Sequence, residues 1–98
     1  MPGYYAGWVV GNATIRFGNG FTVTRLGLVG SYQIALPAPG SFHATMVTPV
    51  ALNTIARVAM TRRDALSGQL WIDIEIRNVT TGALVDSDFN FIALLRSS

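Results

Sequence analysis

Gln69-Leu70-Trp71-Ile72-Asp73-Ile74-Glu75-Ile76-Arg77 decides the fold. Leu70, Ile72, Ile74 and Ile76 fall on one side of an extended chain and Trp71, Asp73, Glu75 and Arg77 on the other, the period of a strand with one buried face. A helix would scatter the same residues around its circumference. Working outward, Phe21 and Val23 alternate with Thr22 and Thr24. Tyr32, Ile34 and Leu36 alternate with Ser31, Gln33 and Ala35, and Phe42, Ala44 and Met46 with Ser41, His43 and Thr45. Thr54 to Thr61 fits a strand with Ala56, Val58 and Met60 on one side and Ile55, Arg57 and Ala59 on the other. Leu52, Ile55, Ala56, Ala59 and Met60 also approximate a helical stripe, so Val50 to Arg63 reads as strand or helix. From Leu84 to Leu95, Val85, Phe89, Phe91 and Ala93 oppose Asp86, Asp88 and Asn90. Ile92 and Leu94 then make both sides apolar, which marks a central or interface strand.

Turn residues separate these runs. Gly18-Asn19-Gly20 predicts a tight hairpin between Thr14–Phe17 and the strand from Phe21, because its residues accept positive φ. Gly27 and Gly30 bracket a short connection. Pro37-Ala38-Pro39-Gly40 and Pro49 stop strands, since proline cannot donate to a ladder. Asp64 to Gly68 and Thr80-Thr81-Gly82 supply further turns. About eight short strands at this spacing predict a single all-β domain over residues 1–98, an antiparallel β-sandwich of jelly-roll type, with residues 1–11 as an amino-terminal arm or edge strand.

Half of the 98 residues are apolar and only 12% are charged. An ordinary soluble domain carries about a quarter charged residues, and a small domain has the least interior in which to bury apolar side chains. The composition therefore predicts burial against copies of the same chain. The absence of cysteine removes disulfides, thiolate nucleophiles and Cys-based zinc sites. No stretch is long enough to cross a bilayer, so no membrane insertion is expected. The amino terminus lacks the basic start and apolar core of a secretory signal, and no targeting segment is read; a virion-associated protein, or one exported by another route, fits that pattern.

All seven basic residues are arginines. Residues 1–63 hold five of them and no acid, for a charge of +5; residues 64–98 hold five acids and two arginines, for −3. The two parts are complementary, within a subunit or between neighbours. Arg57, Arg62 and Arg63 make a basic patch too sparse for nucleic acid, and no nucleic-acid partner is expected.

No residue set declares a catalyst. His43 is the lone histidine and has only Ser41 and Thr45 beside it on the same face, without an acid to orient it. Asp86 with Asp88, and Asp73 with Glu75, have the spacing of paired carboxylates but lie in apparent strands, where a solvated face or pairing with arginines is the simpler reading. Neither a cofactor nor a metal site is expected. Tyr4, Tyr5 and Trp8 form an aromatic cluster that, with Ile92 and Leu94, is the candidate oligomer interface. Trp71, His43, Asp86 and Asp88 are candidate ligand-binding residues, Trp71 as a stacking platform for sugar.

Gly20-Phe-Thr-Val-Thr-Arg-Leu-Gly-Leu-Val-Gly-Ser-Tyr-Gln-Ile-Ala-Leu-Pro37, then Val47-Thr48-Pro49 and the Asp-x-Asp-Phe-x-Phe-Ile-Ala of residues 86–93, resembles the small β-rich carboxyl-terminal head domains of bacterial and phage collagen-like or tail-fibre proteins. Those are loosely similar to the trimeric jelly-roll heads of complement and tumour-necrosis-factor proteins. The resemblance covers roughly residues 14–95. It implies a trimeric assembly or recognition module, without enzymatic activity, whose partners are its own copies and a surface glycan or another structural protein. The chain carries no collagen-like or fibrous stalk, so a free-standing oligomer is expected. A small oligomeric lectin is the alternative.

Overall fold

A computed structural model of the protein describes residues 3–37, 41–64 and 66–96, with the backbone alone at 41–43 and 96. Eight strands follow in order: β1 Tyr4–Val9, β2 Ile15–Phe17, β3 Thr22–Arg25, β4 Ser31–Leu36, β5 Ser41–Pro49, β6 Thr54–Arg63, β7 Leu70–Asn78 and β8 Phe89–Arg96. They form two four-stranded sheets, β2-β1-β8-β5 and β3-β4-β7-β6, in which every neighbouring pair is antiparallel. The chain is an all-β sandwich, and Val50 to Arg63, open between strand and helix by sequence, contains strand β6.

The opening stretch forms β7, an inner strand of the second sheet. Leu70, Ile72, Ile74 and Ile76 are buried together with Tyr32, Ile34 and Leu36 of β4. Val9, Phe89, Phe91 and Ala93 close over them from the first sheet. Phe21, placed where the chain passes from one sheet to the other, meets Phe91 edge-on at 4.9 Å between ring centres. Burying each such side chain contributes about 1.5–3 kcal/mol, so this double row of aliphatics is the main stabilising feature.

Several expectations change once the strands are paired. Gly18-Asn19-Gly20 is not a hairpin: β2 pairs with β1, β3 pairs with β4, and the turn carries the chain between sheets. Gly18 at φ 107° and Gly20 at φ 86° supply the left-handed backbone this crossing needs. Tyr4–Val9 is no edge strand, for it lies between β2 and β8. Leu84 to Asp88 precedes β8 as loop, touching β7 by one bridge, Arg77 to Leu84.

The register shifts at three places, between Trp8 and Val9 of β1 and in β5 and β6, and the last two redirect side chains. In β5 the register shifts between Phe42 and Ala44, so Thr45 and Val47 oppose the inward Ala93 and Phe91 while Ala44 and Met46 face outward. In β6 the shift between Val58 and Met60 leaves Ala56 and Val58 against the core and turns Met60 to the outer face with Ile55 and Arg57. An inserted residue flips the alternation beyond it.

The antiparallel order also defines two poles. Gly3 and Leu95 lie at one, where Leu95 N donates to Gly3 O at 2.9 Å, beside the loops at 18–21 and 66–69. The other, here the apex, gathers residues 10–14, 26–30, 50–53 and 79–88.

Candidate functional site

The two outer faces differ in chemistry. On the second sheet, residues of β4, β6 and β7 that point away from the core form a polar lattice. Arg57 Nε lies 2.9 Å from Glu75 Oε1, and Arg77 Nε approaches the same oxygen at 3.3 Å. Hydrogen bonding from Arg57, with the charge of Arg77 behind it, holds the Glu75 carboxyl below its usual range against an opposing effect of burial. Arg62 pairs with Asp73 at 3.3 Å and lies over the Trp71 ring at 5.4 Å. Gln33 Nε2 also donates to Asp73. The complementary charges of the two parts of the sequence thus meet within one subunit.

On the first sheet the outer face is apolar. The register places Tyr4 opposite Leu94, Ala6 opposite Ile92 and Trp8 opposite Asn90. Across β8, Ala44, Met46 and Thr48 continue the same three rows. Tyr4 is 58% and Met46 55% exposed. Met46, Thr48, Asn90, Phe91 and Ile92 line a depression of about 260 Å³. At the β2 margin Phe17 stands opposite Trp8 with rings 6.1 Å apart, and the Arg16 guanidinium stacks over Trp8 at 4.6 Å. Of the five candidate interface residues, Tyr4, Trp8, Ile92 and Leu94 come together here. Tyr5 does not: it points inward and packs against the core. Ala44, Met46 and Phe17 complete the face but were not singled out by sequence, because the β5 bulge and the β1–β2 pairing carry no local signal.

The candidate ligand residues do not converge. Trp71 sits near the pole of Gly3 and Leu95, whereas Asp86 and Asp88 are at the apex, engaged in ties between loops. The side chain of His43 lies outside the described residues. Tyr32 Oη donates to Gly11 O at 2.7 Å and accepts from Ser87 N at 3.2 Å. Asp86 accepts from Gly30 N at 2.8 Å through Oδ1 and pairs with Arg25 at 2.6 Å through Oδ2. Asp88 accepts from Trp8 Nε1 at 3.1 Å and from Gly11 N at 2.9 Å. Burial pushes the Tyr32 hydroxyl up to about 12, with the Ser87 N–H working in the opposite direction. The hydroxyl is accordingly a permanent donor at ordinary pH. Asp86 and Asp88 project to different partners from irregular backbone, not from one strand face. Among the described residues no three His, Cys, Asp or Glu side chains gather as metal ligands.

No protein family, curated protein or solved structure was found to match this chain.

Proposed function

We propose that this chain is a non-enzymatic structural or recognition module that closes into a homo-oligomer, a trimer, through the outer face of its first sheet, in the manner of a bacterial or phage fibre head. One observation carries the reading: the contrast between the two outer faces. The second sheet sets Arg57, Arg62, Asp73, Glu75 and Arg77 among its outward positions, with Ile55 and Met60 exposed beside them, while on the first Tyr4, Ala6 and Met46 are exposed and Ile92 and Leu94 half-buried, with no ion pair among the described residues across the rows. Exposed apolar patches of this kind mark interaction surfaces, and identical chains close most simply by cyclic symmetry. Of the pairs that a long hairpin rolled into a jelly roll requires, β1 with β8 is present, whereas β2 pairs with β1, β3 with β4 and β6 with β7, so the jelly-roll reading rests on the sequence resemblance and not on the strand order. The number three follows from the resemblance of residues 14–95 to trimeric heads.

Light scattering coupled to size exclusion tests this directly. The expected mass is three times the 10.5 kDa subunit. Met46→Asp and Ile92→Asp, which place a charge on the face, should yield folded single subunits, whereas Ile55→Asp on the opposite face should leave the mass unchanged. A parent chain that stays single at high concentration refutes the reading.

A further inference from the structure

Five asparagines occur in the chain, and glycine follows only Asn19. Ala13, Thr54, Val79 and Phe91 follow the others. The difference matters because the backbone nitrogen of the next residue can attack the side-chain carbonyl carbon of asparagine, and a Cβ on that residue crowds the approach. This attack is what makes asparagine thermolabile.

The fold sharpens the contrast. Asn12 Oδ1 accepts from Thr14 N at 3.1 Å, and Asn78 Oδ1 accepts from Thr80 N at 2.8 Å and Thr81 N at 3.1 Å, so both side chains are engaged by the turns that follow them. Asn90 lies in β8, paired with Trp8 of β1 on one side and Thr48 of β5 on the other. Asn53 precedes the β-branched Thr54. Asn19 stands outside every ladder, after the last β1–β2 pair at Phe17 and before the first β3–β4 pair at Thr22. It is exposed, as is Gly20, and it borders an open depression of about 440 Å³ beside Tyr4 and Tyr5, which gives its amide room to turn and water to react with. The inner side of the same crossing is closely fitted. A Cβ on Gly18 would stand 2.5 Å from the Ala6 carbonyl oxygen, and one on Gly20 would stand 3.0 Å from the Tyr5 ring.

We propose that Asn19 is a spontaneous modification site, at which the folded chain converts the amide to aspartate and isoaspartate without an enzyme, and that the isoaspartate product loosens the crossing between the sheets. Gly20 N gives up its proton to solvent base and attacks Asn19 Cγ. The new N–Cγ bond closes a cyclic imide, and the Cγ–Nδ2 bond breaks to release ammonia, which takes a proton from solvent. Water then opens the ring. Addition at Cγ leaves aspartate; addition at the main-chain carbonyl carbon of residue 19 leaves isoaspartate, with the side-chain methylene now part of the backbone. One water enters, one ammonia leaves, and nothing is oxidised or reduced. Either product lowers the formal net charge of +2 by one. Only isoaspartate lengthens the main chain, and the close contacts at Gly18 and Gly20 leave no slack to absorb it. The inference holds for a single or an assembled subunit and does not rest on the assembly reading.

Peptide mass mapping of the full chain, held folded in mildly alkaline buffer, tests this. Exchange of NH for O at position 19 should run at least about tenfold faster than at any other asparagine, because only there is the following residue without a Cβ, and it should quicken as pH rises. Methyl transfer to the same peptide by an isoaspartyl methyltransferase, with a labelled methyl donor, should report the isoaspartate. Asn19→Gln keeps an amide but needs a larger ring, so it should abolish both signals in a chain that still folds. The isoaspartate fraction, separated by ion exchange, should have a lower Tm than the fresh chain, whereas fresh Asn19→Asp should melt with the parent. A folded chain whose Asn19 stays intact while the urea-unfolded chain reacts overturns the proposal, since the turn would then shield the amide. So do equal rates at all the asparagines, signals that persist in Asn19→Gln, or an isoaspartate fraction as stable as the fresh chain.

Discussion

Tyr32 shows how much one hydroxyl can hold. Its ring is buried against Phe89, with centroids 5.1 Å apart, and its oxygen joins the β1–β2 turn to the loop before β8. Tyr32→Phe keeps the ring and strands the Gly11 carbonyl and the Ser87 N–H; the expected cost is about 1–3 kcal/mol, read as a lower midpoint in urea unfolding. The same residue gives an alkaline limit. Its folded value near 12 lies above the ordinary 10, so its contribution to stability is complete below about pH 10 and is lost as pH rises toward 12. Tyr32→Phe should flatten that part of the stability curve. Glu75 acts at the other end of the scale. Its lowered value means that the ion pairs stabilise above the unfolded carboxyl range, near 4.3, and fade as pH falls through the folded value. Glu75→Gln should cost about 0.2–1 kcal/mol at pH 7 and progressively less as pH falls through the folded value, by the same unfolding assay.

At the level of strands, β4 and β7 could be read from alternation because both faces keep their period from end to end: Tyr32, Ile34 and Leu36 are all buried, and so are the four aliphatics of β7. Ile72→Ala should cost about 2–5 kcal/mol. β5 and β6 were half legible. Period two is visible locally, but the residue that breaks it looks like any other, and Met46 and Met60 therefore end up on the outside, each more than half exposed. Both bulges lie in the strands that end the two sheets, where a kink discourages further pairing. The Gly18-Asn19-Gly20 turn advertises positive φ without saying which sheet receives the next strand. Gly30 is decided by space: its φ is +75°, and a Cβ there would stand 2.7 Å from the Ile76 carbonyl and 2.8 Å from Val85 N. Gly30→Ala should destabilise by about 2–4 kcal/mol, visible as a lower Tm.

For the molecule as a whole, the excess of apolar residues was legible in composition, but its location was not. Most of it divides between one sheet face and the apex, with Ile55 and Met60 on the other face and Leu66 at the opposite pole, a division that depends on strand order. The charge asymmetry along the chain is met by Arg25–Asp86, Arg57–Glu75 and Arg62–Asp73 inside the subunit. An assembly made by the apolar face should therefore keep its mass in 1 M salt, where the screening length falls to about 3 Å; one made by charge between subunits would come apart. Light scattering across a salt series distinguishes them. The hydrogen bond between Leu95 and Gly3 has a practical corollary. Gly3 and Leu95 stand side by side, so a short covalent link between those two positions would tie β1 to β8 without pulling either strand out of register. With that link in place, a cut in the loop between β6 and β7, at the exposed Leu66, would leave the same sandwich standing.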